Sequence, residues 1–103
     1  SDVYAAEVYS YTKKVTNTIS VDQKFLSETD RVLVIDDFLA NGQAVLGLLE
    51  ICRQASAHIV GAGVVVEKSF QDGAKLIKER GVRLESLARI ASFEDDKVHF
   101  VGE

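Results

Sequence analysis

Apolar residues cluster in this chain at two different spacings, and the two spacings predict its elements. Arg31–Ile35 is an unbroken aliphatic run after its arginine, the pattern of a central strand buried on both faces. Ile59–Glu67 is a second such run, ending in Val64-Val65-Val66. Between them Val45, Leu48, Leu49 and Cys52 fall at i, i+3, i+4 and i+7, one apolar stripe that predicts a helix over 42–56. Strand, helix and strand in that order predict a βαβ unit with a parallel sheet. Upstream, Val3–Val15 is rich in Tyr and Val and partly alternates. Thr16-Asn17-Thr18 offers a turn, and Ile19–Val21 starts a return strand, so residues 3–21 read as a β-hairpin. The polar stretch Asp22–Asp30 reads as a loop. Downstream, Asp72–Glu79 predicts a short helix with Asp72 as N-cap and Gly81 as its stop. Val82–Ile90 and Lys97–Val101 read as strands around the turn Glu94-Asp95-Asp96, an acidic run of the kind found at solvated hairpin tips. The fold class is α/β with a parallel, Rossmann-like sheet and a β-hairpin at the N-terminal side.

The chemistry gathers where the first buried strand ends. Asp36 and Asp37 close the run, Ala40-Asn41-Gly42-Gln43-Ala44 form a small-residue turn, and the helix begins there. A helix start leaves backbone N–H groups without intrahelical partners, and the helix dipole adds a positive potential. Together these attract a phosphate, and Gly42 permits the positive φ and close approach that such a turn needs. Ionised carboxylates only accept hydrogen bonds. They suit the 2′ and 3′ hydroxyls of a ribose whose 5′-phosphate lies in the turn, or the coordination of a magnesium ion. In a parallel sheet the ligand site lies at the carboxyl ends of the strands, and Asp36, Asp37 and Lys68 all fall at such ends. Gly61-Ala62-Gly63 invites a dinucleotide-binding reading. These glycines lead into Val64-Val65-Val66 rather than into a helix, so that reading fails on context.

The string Val32-Leu33-Val34-Ile35-Asp36-Asp37-Phe38-Leu39-Ala40-Asn41-Gly42-Gln43-Ala44 resembles the phosphoribosyl-pyrophosphate (PRPP) motif of the type I phosphoribosyltransferase family. Many relatives have Thr-Gly-Gly-Thr in the phosphate turn. The Asn41-Gly42-Gln43-Ala44 version resembles the bacterial xanthine-using branch. Tyr9-Ser10-Tyr11-Thr12-Lys13, Val66-Glu67-Lys68-Ser69-Phe70 and Glu85-Ser86-Leu87-Ala88-Arg89-Ile90 look like the same branch, in the same order, so the resemblance covers nearly the whole chain. It implies transfer of a phosphoribosyl group from PRPP to xanthine, giving xanthosine 5′-monophosphate and pyrophosphate, in purine salvage. Asp36 and Asp37 would carry catalysis, residues 40–44 would hold the 5′-phosphate, and Lys68 would meet the 6-oxo group of the base. Adenine presents a donor at that position and would be disfavoured. Phe70 would lie against the base or in the core. The resemblance further implies Mg2+ bound mainly through PRPP, a homodimer, and a hairpin arm that closes over the site. The alternatives are a non-catalytic PRPP-sensing purine repressor of the same fold, or a guanine or hypoxanthine phosphoribosyltransferase.

Length and composition narrow this further. The chain has 103 residues, enough for one domain at most. A net charge of -4 gives no electrostatic footprint for nucleic acid or an anionic membrane. No apolar run approaches the ~20 residues that span a bilayer. Cys52 is the only cysteine, which excludes an internal disulfide and fits a cytoplasmic location. It lies on the helix stripe and reads as a packed core thiol. His58 and His99 lie far apart in sequence, and no metal-ligating cluster of the protein's own is predicted. The chain holds neither Met nor Pro. Against the family pattern it lacks a first strand, a pyrophosphate loop and part of a base-covering hood. It is expected to be the C-terminal portion of a single phosphoribosyltransferase domain.

Overall fold

The computed structural model describes residues 2–68, 71–94 and 97–101. Two sheets carry the architecture. β1 (Val3–Ser10) and β2 (Val15–Asp22) form an antiparallel hairpin. A 3-10 turn, Gln23–Phe25, then leads into β3 (Arg31–Leu39), α1 (Gln43–Gln54), β4 (His58–Lys68), α2 (Gly73–Glu79), β5 (Leu84–Glu94) and β6 (Lys97–Phe100). The second sheet has the order β3-β4-β5-β6, with β3, β4 and β5 parallel and β6 antiparallel to β5. Each parallel step crosses over through a helix, as the alternation of strand and helix patterns predicts.

The helices share one face of this sheet. Val34 and Leu39 of β3, Val45 and Leu49 of α1, Ala62 and Val64 of β4, and Ala74 and Ile77 of α2 form one buried cluster. The predicted stripe of α1 holds: Val45, Leu49 and Cys52 are buried, and Leu48 packs against the cluster. Cys52 is a core thiol whose pKa is raised by burial. Ile77 is fully enclosed between α2 and the sheet. Ile77→Ala should therefore cost about 2–5 kcal/mol, the range for opening an unrelaxed cavity. A fall of under ~1 kcal/mol in a urea titration would mean that α2 is not closed on the sheet.

Three expectations are corrected. The hairpin turn is Tyr11–Lys14, with Lys14 at φ +54°, rather than Thr16-Asn17-Thr18. Those three residues lie inside β2, opposite Tyr9, Val8 and Glu7. Threonine favours a pleated surface, and that preference prevails over the turn tendency of one asparagine. Secondly, β3 is not buried on both faces. It is an edge strand among the described residues, Val34 and Leu39 are buried, and Leu33 and Ile35 are more than half exposed. Ile35 packs over Gly63 and, with Val65 and Leu87, forms an apolar surface on the face away from the helices. Leu87 is 85% exposed there. An aliphatic run predicts apolar surroundings on both sides, and the described residues supply only one. Thirdly, the strand runs on to Leu39, so the acidic pair stands inside it and not after it.

The helix ends also repay comparison with the sequence. Asp72 does occupy the N-cap position of α2, but its side chain makes no capping hydrogen bond. Gly81 has φ +75° and its N–H donates to Lys78, the stop predicted for it. Gly61 and Gly63 lie within β4. The expected turn residues Asp95 and Asp96, and Phe70, expected against the base or in the core, lie outside the described residues.

Candidate active site

The site begins with two glycines pressed together. The chain leaves β3 at Leu39, passes through Ala40 and Asn41, and enters α1 at Gln43. Gly42 caps α1 from the left-handed region, φ +78°. Its missing side chain is required twice over, because a Cβ would also stand 2.9 Å from the Cα of Gly73. Gly73 opens α2 and donates its N–H to the Ala40 carbonyl at 2.9 Å. A Cβ on Gly73 would run into that same carbonyl oxygen and stand 2.8 Å from the Gly42 nitrogen. The start of α2 thus holds the turn from behind, backbone on backbone. The sequence reading missed Gly73. The available signal was a glycine at the first position of a helix, where nothing local asks for one.

At the front the turn is open. The first turn of α1 has no acidic residue and no side-chain cap. The helical ladder starts with the N–H of Leu46 donating to Gly42 at 2.8 Å. The N–H groups of Gln43, Ala44 and Val45 precede that bond and can face a ligand, as helix starts do for anions. A cleft of about 160 Å³ lies against this turn. Ala40, Asn41, Gly42, Gln43 and Ala44 form its floor, with Asp36, Phe38 and Leu39 of β3 beside them. Tyr9, Tyr11 and Thr12 reach it from the hairpin. The two tyrosine rings meet edge to face, with centroids 4.9 Å apart.

The predicted site residues divide around this cleft. Asp36 lines it, half-buried. Burial pushes its carboxyl above the usual carboxylate range, the neighbouring Asp37 carboxylate adds to this, and the Asp37 N–H opposes it through a 2.8 Å bond to Oδ1. Asp37 itself is exposed and stands outside the cleft lining. Lys68 ends β4, with its ammonium 4.7 Å from the centroid of the Phe38 ring, a cation–π contact. Phe38 lines the cleft, so Lys68 stands behind its aromatic wall rather than in it. The preceding Glu67 turns inward instead, 4% exposed, and accepts the Ser86 hydroxyl at 2.6 Å. Among the described residues no three His, Cys, Asp or Glu side chains gather as a metal cage. Asp36 is the one carboxylate in the cleft lining, with Asp37 next to it in the chain. No described helix is long and apolar enough to cross a membrane.

The geometry suits a small anion on the backbone N–H groups of the turn, with one half-buried carboxylate beside them and two aromatic rings lining the same cleft. No family model matches the chain. The xanthine phosphoribosyltransferase of Ligilactobacillus salivarius is 69% identical over 102 residues, covering 99% of this chain and 53% of that protein. That of Geobacillus thermodenitrificans is 59% identical over the whole chain and 53% of its own length. Among solved structures, an APRTase from Giardia lamblia complexed with 9-deazaadenine superimposes with a TM-score of 0.78 at 28% identity, over 88% of this chain and 51% of that one. An adenine phosphoribosyltransferase from Thermoanaerobacter pseudethanolicus gives a TM-score of 0.74 at 21% identity, over 86% and 49%, a likeness of fold alone. The chain spans about half the length of the curated relatives it matches. Along nearly its whole length this chain is similar in sequence to part of these xanthine phosphoribosyltransferases, and in fold to part of the adenine phosphoribosyltransferases.

Proposed function

We propose that this chain is the C-terminal portion of a xanthine phosphoribosyltransferase, whose reaction joins xanthine to the ribose of PRPP and releases pyrophosphate. The observation that carries this reading is the cleft in which Asp36 and the Gly42 turn face one space, in a chain 69% identical to part of a xanthine phosphoribosyltransferase. In it the 5′-phosphate lies on the N–H groups of residues 40–44, and Asp36 accepts from the ribose hydroxyls. Asp37 lies one residue on and serves the outer side of the same sugar or its metal shell. The bond from the anomeric carbon to pyrophosphate breaks as the bond to the base nitrogen forms, with oxocarbenium-like charge between. The protein's part is to hold both reactants in line and keep water out. Tyr9, Tyr11 and Thr12 supply that cover from the hairpin.

Lys68, steadied over Phe38, reads the oxygen at the purine 6-position. Asp36 and Asp37 are hard oxygen donors without a third partner, which suits Mg2+ held mainly by the substrate's own oxygens. When bound, that ion neutralises charge on the departing pyrophosphate. The apolar face of Ile35, Val65 and Leu87 supports a domain that continues beyond these residues, since so large an exposed leucine on a sheet face calls for a covering layer. A cytoplasmic homodimer completes the reading.

The test is pyrophosphate release by the full-length protein, with PRPP, Mg2+ and each of xanthine, guanine, hypoxanthine and adenine. Release should be fastest with xanthine and least with adenine. Equal or faster release with adenine would remove Lys68 from the base site. PRPP binding without release from any base would turn the reading toward a PRPP sensor.

A further inference from the structure

One side chain ties the hairpin to the helix that carries the phosphate turn. Gln54, the last residue of α1, reaches Ala5 of β1, 49 residues away in sequence. Its Nε2 donates to the Ala5 carbonyl at 2.7 Å, and the Ala5 N–H donates to its Oε1 at 3.1 Å. The amide thus pairs with β1 on the side opposite Ser20, Ala5's partner in β2. Its orientation is fixed by Glu50, whose Oε2 lies 3.1 Å from the same Nε2, because a carboxylate can only accept. Glu50 is in turn gripped by both Nε and Nη2 of Arg53, at 2.7 and 2.6 Å, which hold its carboxyl down at about 2.

A second contact defines the same seat. Gly47 lies seven residues before Gln54, two turns back on one helix face. A Cβ there would stand 2.7 Å from Cγ2 of Val8 and 3.1 Å from Cδ1 of Ile19, so the hairpin rests on the bare helix backbone. Gly47 is costly in a helix interior by about 1 kcal/mol relative to alanine, and close packing of the hairpin accounts for it. From Ala5 to Tyr9 the strand runs four residues, roughly 13 Å. A tilt at the seat is therefore carried out to the tip, where Tyr9, Tyr11 and Thr12 meet the cleft.

We propose that Gln54, oriented by Glu50, is a positioning residue that fixes the base of the hairpin so that Tyr9, Tyr11 and Thr12 complete the cleft over the phosphate turn. It acts through the hairpin. The tie itself stands on geometry alone; its consequence for substrate rests on the phosphoribosyl-transfer reading above.

The experiment uses the full-length protein carrying Gln54→Leu, which keeps the side-chain volume and removes both bonds, and separately Gly47→Val, which wedges the same seat. Amide hydrogen exchange over residues 3–10 is followed without substrate, and PRPP affinity is measured by calorimetry beside KM and kcat. Gln54→Leu should speed exchange at Ala5 about tenfold and weaken PRPP about tenfold, the loss expected for a pair of bonds of this kind. The KM for the base should hold, Tm should fall by no more than about 5 °C, and kcat should change under about threefold. Gly47→Val should reproduce the pattern. Unchanged exchange in Gln54→Leu would overturn the tie. Faster exchange with unaltered PRPP affinity would overturn the positioning role. Should the wild type bind PRPP but transfer to no base, the function proposed above falls, while exchange and PRPP affinity still decide the tie.

Discussion

Asp36→Asn should abolish most of the transfer activity and leave the folded protein slightly more stable. The two effects have one cause. Asp36 sits half-buried on the cleft wall, and burial raises its pKa in the folded state above the unfolded value. A group shifted upward favours folding most when protonated. Its contribution is fully present below the unfolded carboxyl value near ~4 and is lost as pH rises through the raised folded value. At neutral pH its charge is therefore a cost to the fold, kept where a ligand can use it. Asparagine preserves the shape, can still accept the Asp37 N–H, and removes the charge. Tm should rise by about 1–3 °C, within the range of a modest surface substitution. The kcat/KM for PRPP should fall by about 100-fold or more, because under the proposed function the ribose would lose its charged acceptor. The stability gain should vanish when the comparison is repeated near pH 4. Activity within threefold of the wild type would remove Asp36 from the site. A fall in Tm alongside lost activity would mean that the carboxylate is structural.

Gly73→Ala should be as damaging although Gly73 lines no part of the cleft. In an ordinary helix glycine to alanine gains about 1 kcal/mol. Here the new methyl group meets the Ala40 carbonyl and the Gly42 nitrogen, both backbone atoms that cannot swing aside. The bond from Gly73 N–H to Ala40 must break, or the turn must move away from α2. The expected cost is about 1–3 kcal/mol, typical of overpacking. PRPP binding should weaken by about 100-fold, since under the proposed function the displaced N–H groups of the turn would no longer converge on one phosphate. Urea titration reads the first effect and calorimetry with PRPP the second. A stabilised variant with normal PRPP affinity would show that α2 does not hold the turn.

Much of this was readable before any coordinates. The aliphatic run to Ile35, the stripe on α1 and the run to Glu67 name the βαβ core, because burial against one helix face demands those spacings. The Asp36-to-Ala44 string names the turn and the carboxylate beside it, because a strand end, a small-residue turn and a helix start follow one another directly in the chain. These are local demands, met within about fifteen residues of chain.

What the sequence left open depends on distant partners. Leu33 and Ile35 read as buried and are exposed, because periodicity reports what a face is suited to and not whether a covering layer is present. The hairpin turn moved to Tyr11–Lys14 because cross-strand pairing over eight positions outweighs one asparagine's preference. Asp36 and Asp37 are equivalent in sequence, yet the pleat turns one carboxylate to the cleft and the other to solvent. Gly47 and Gln54 carried no signal of their own, and Gly73 only the oddity of a glycine at a helix start. Each matters through an atom 31 to 49 residues away, Ala40 or Gly42 for Gly73, Val8 for Gly47 and Ala5 for Gln54. The sequence by itself determined the βαβ core and the glycine turn that opens α1, which are written in neighbouring residues. Only the tertiary structure decided what supports that turn and what closes over it, because close backbone packing and side-chain ties between elements leave no periodic trace in the chain.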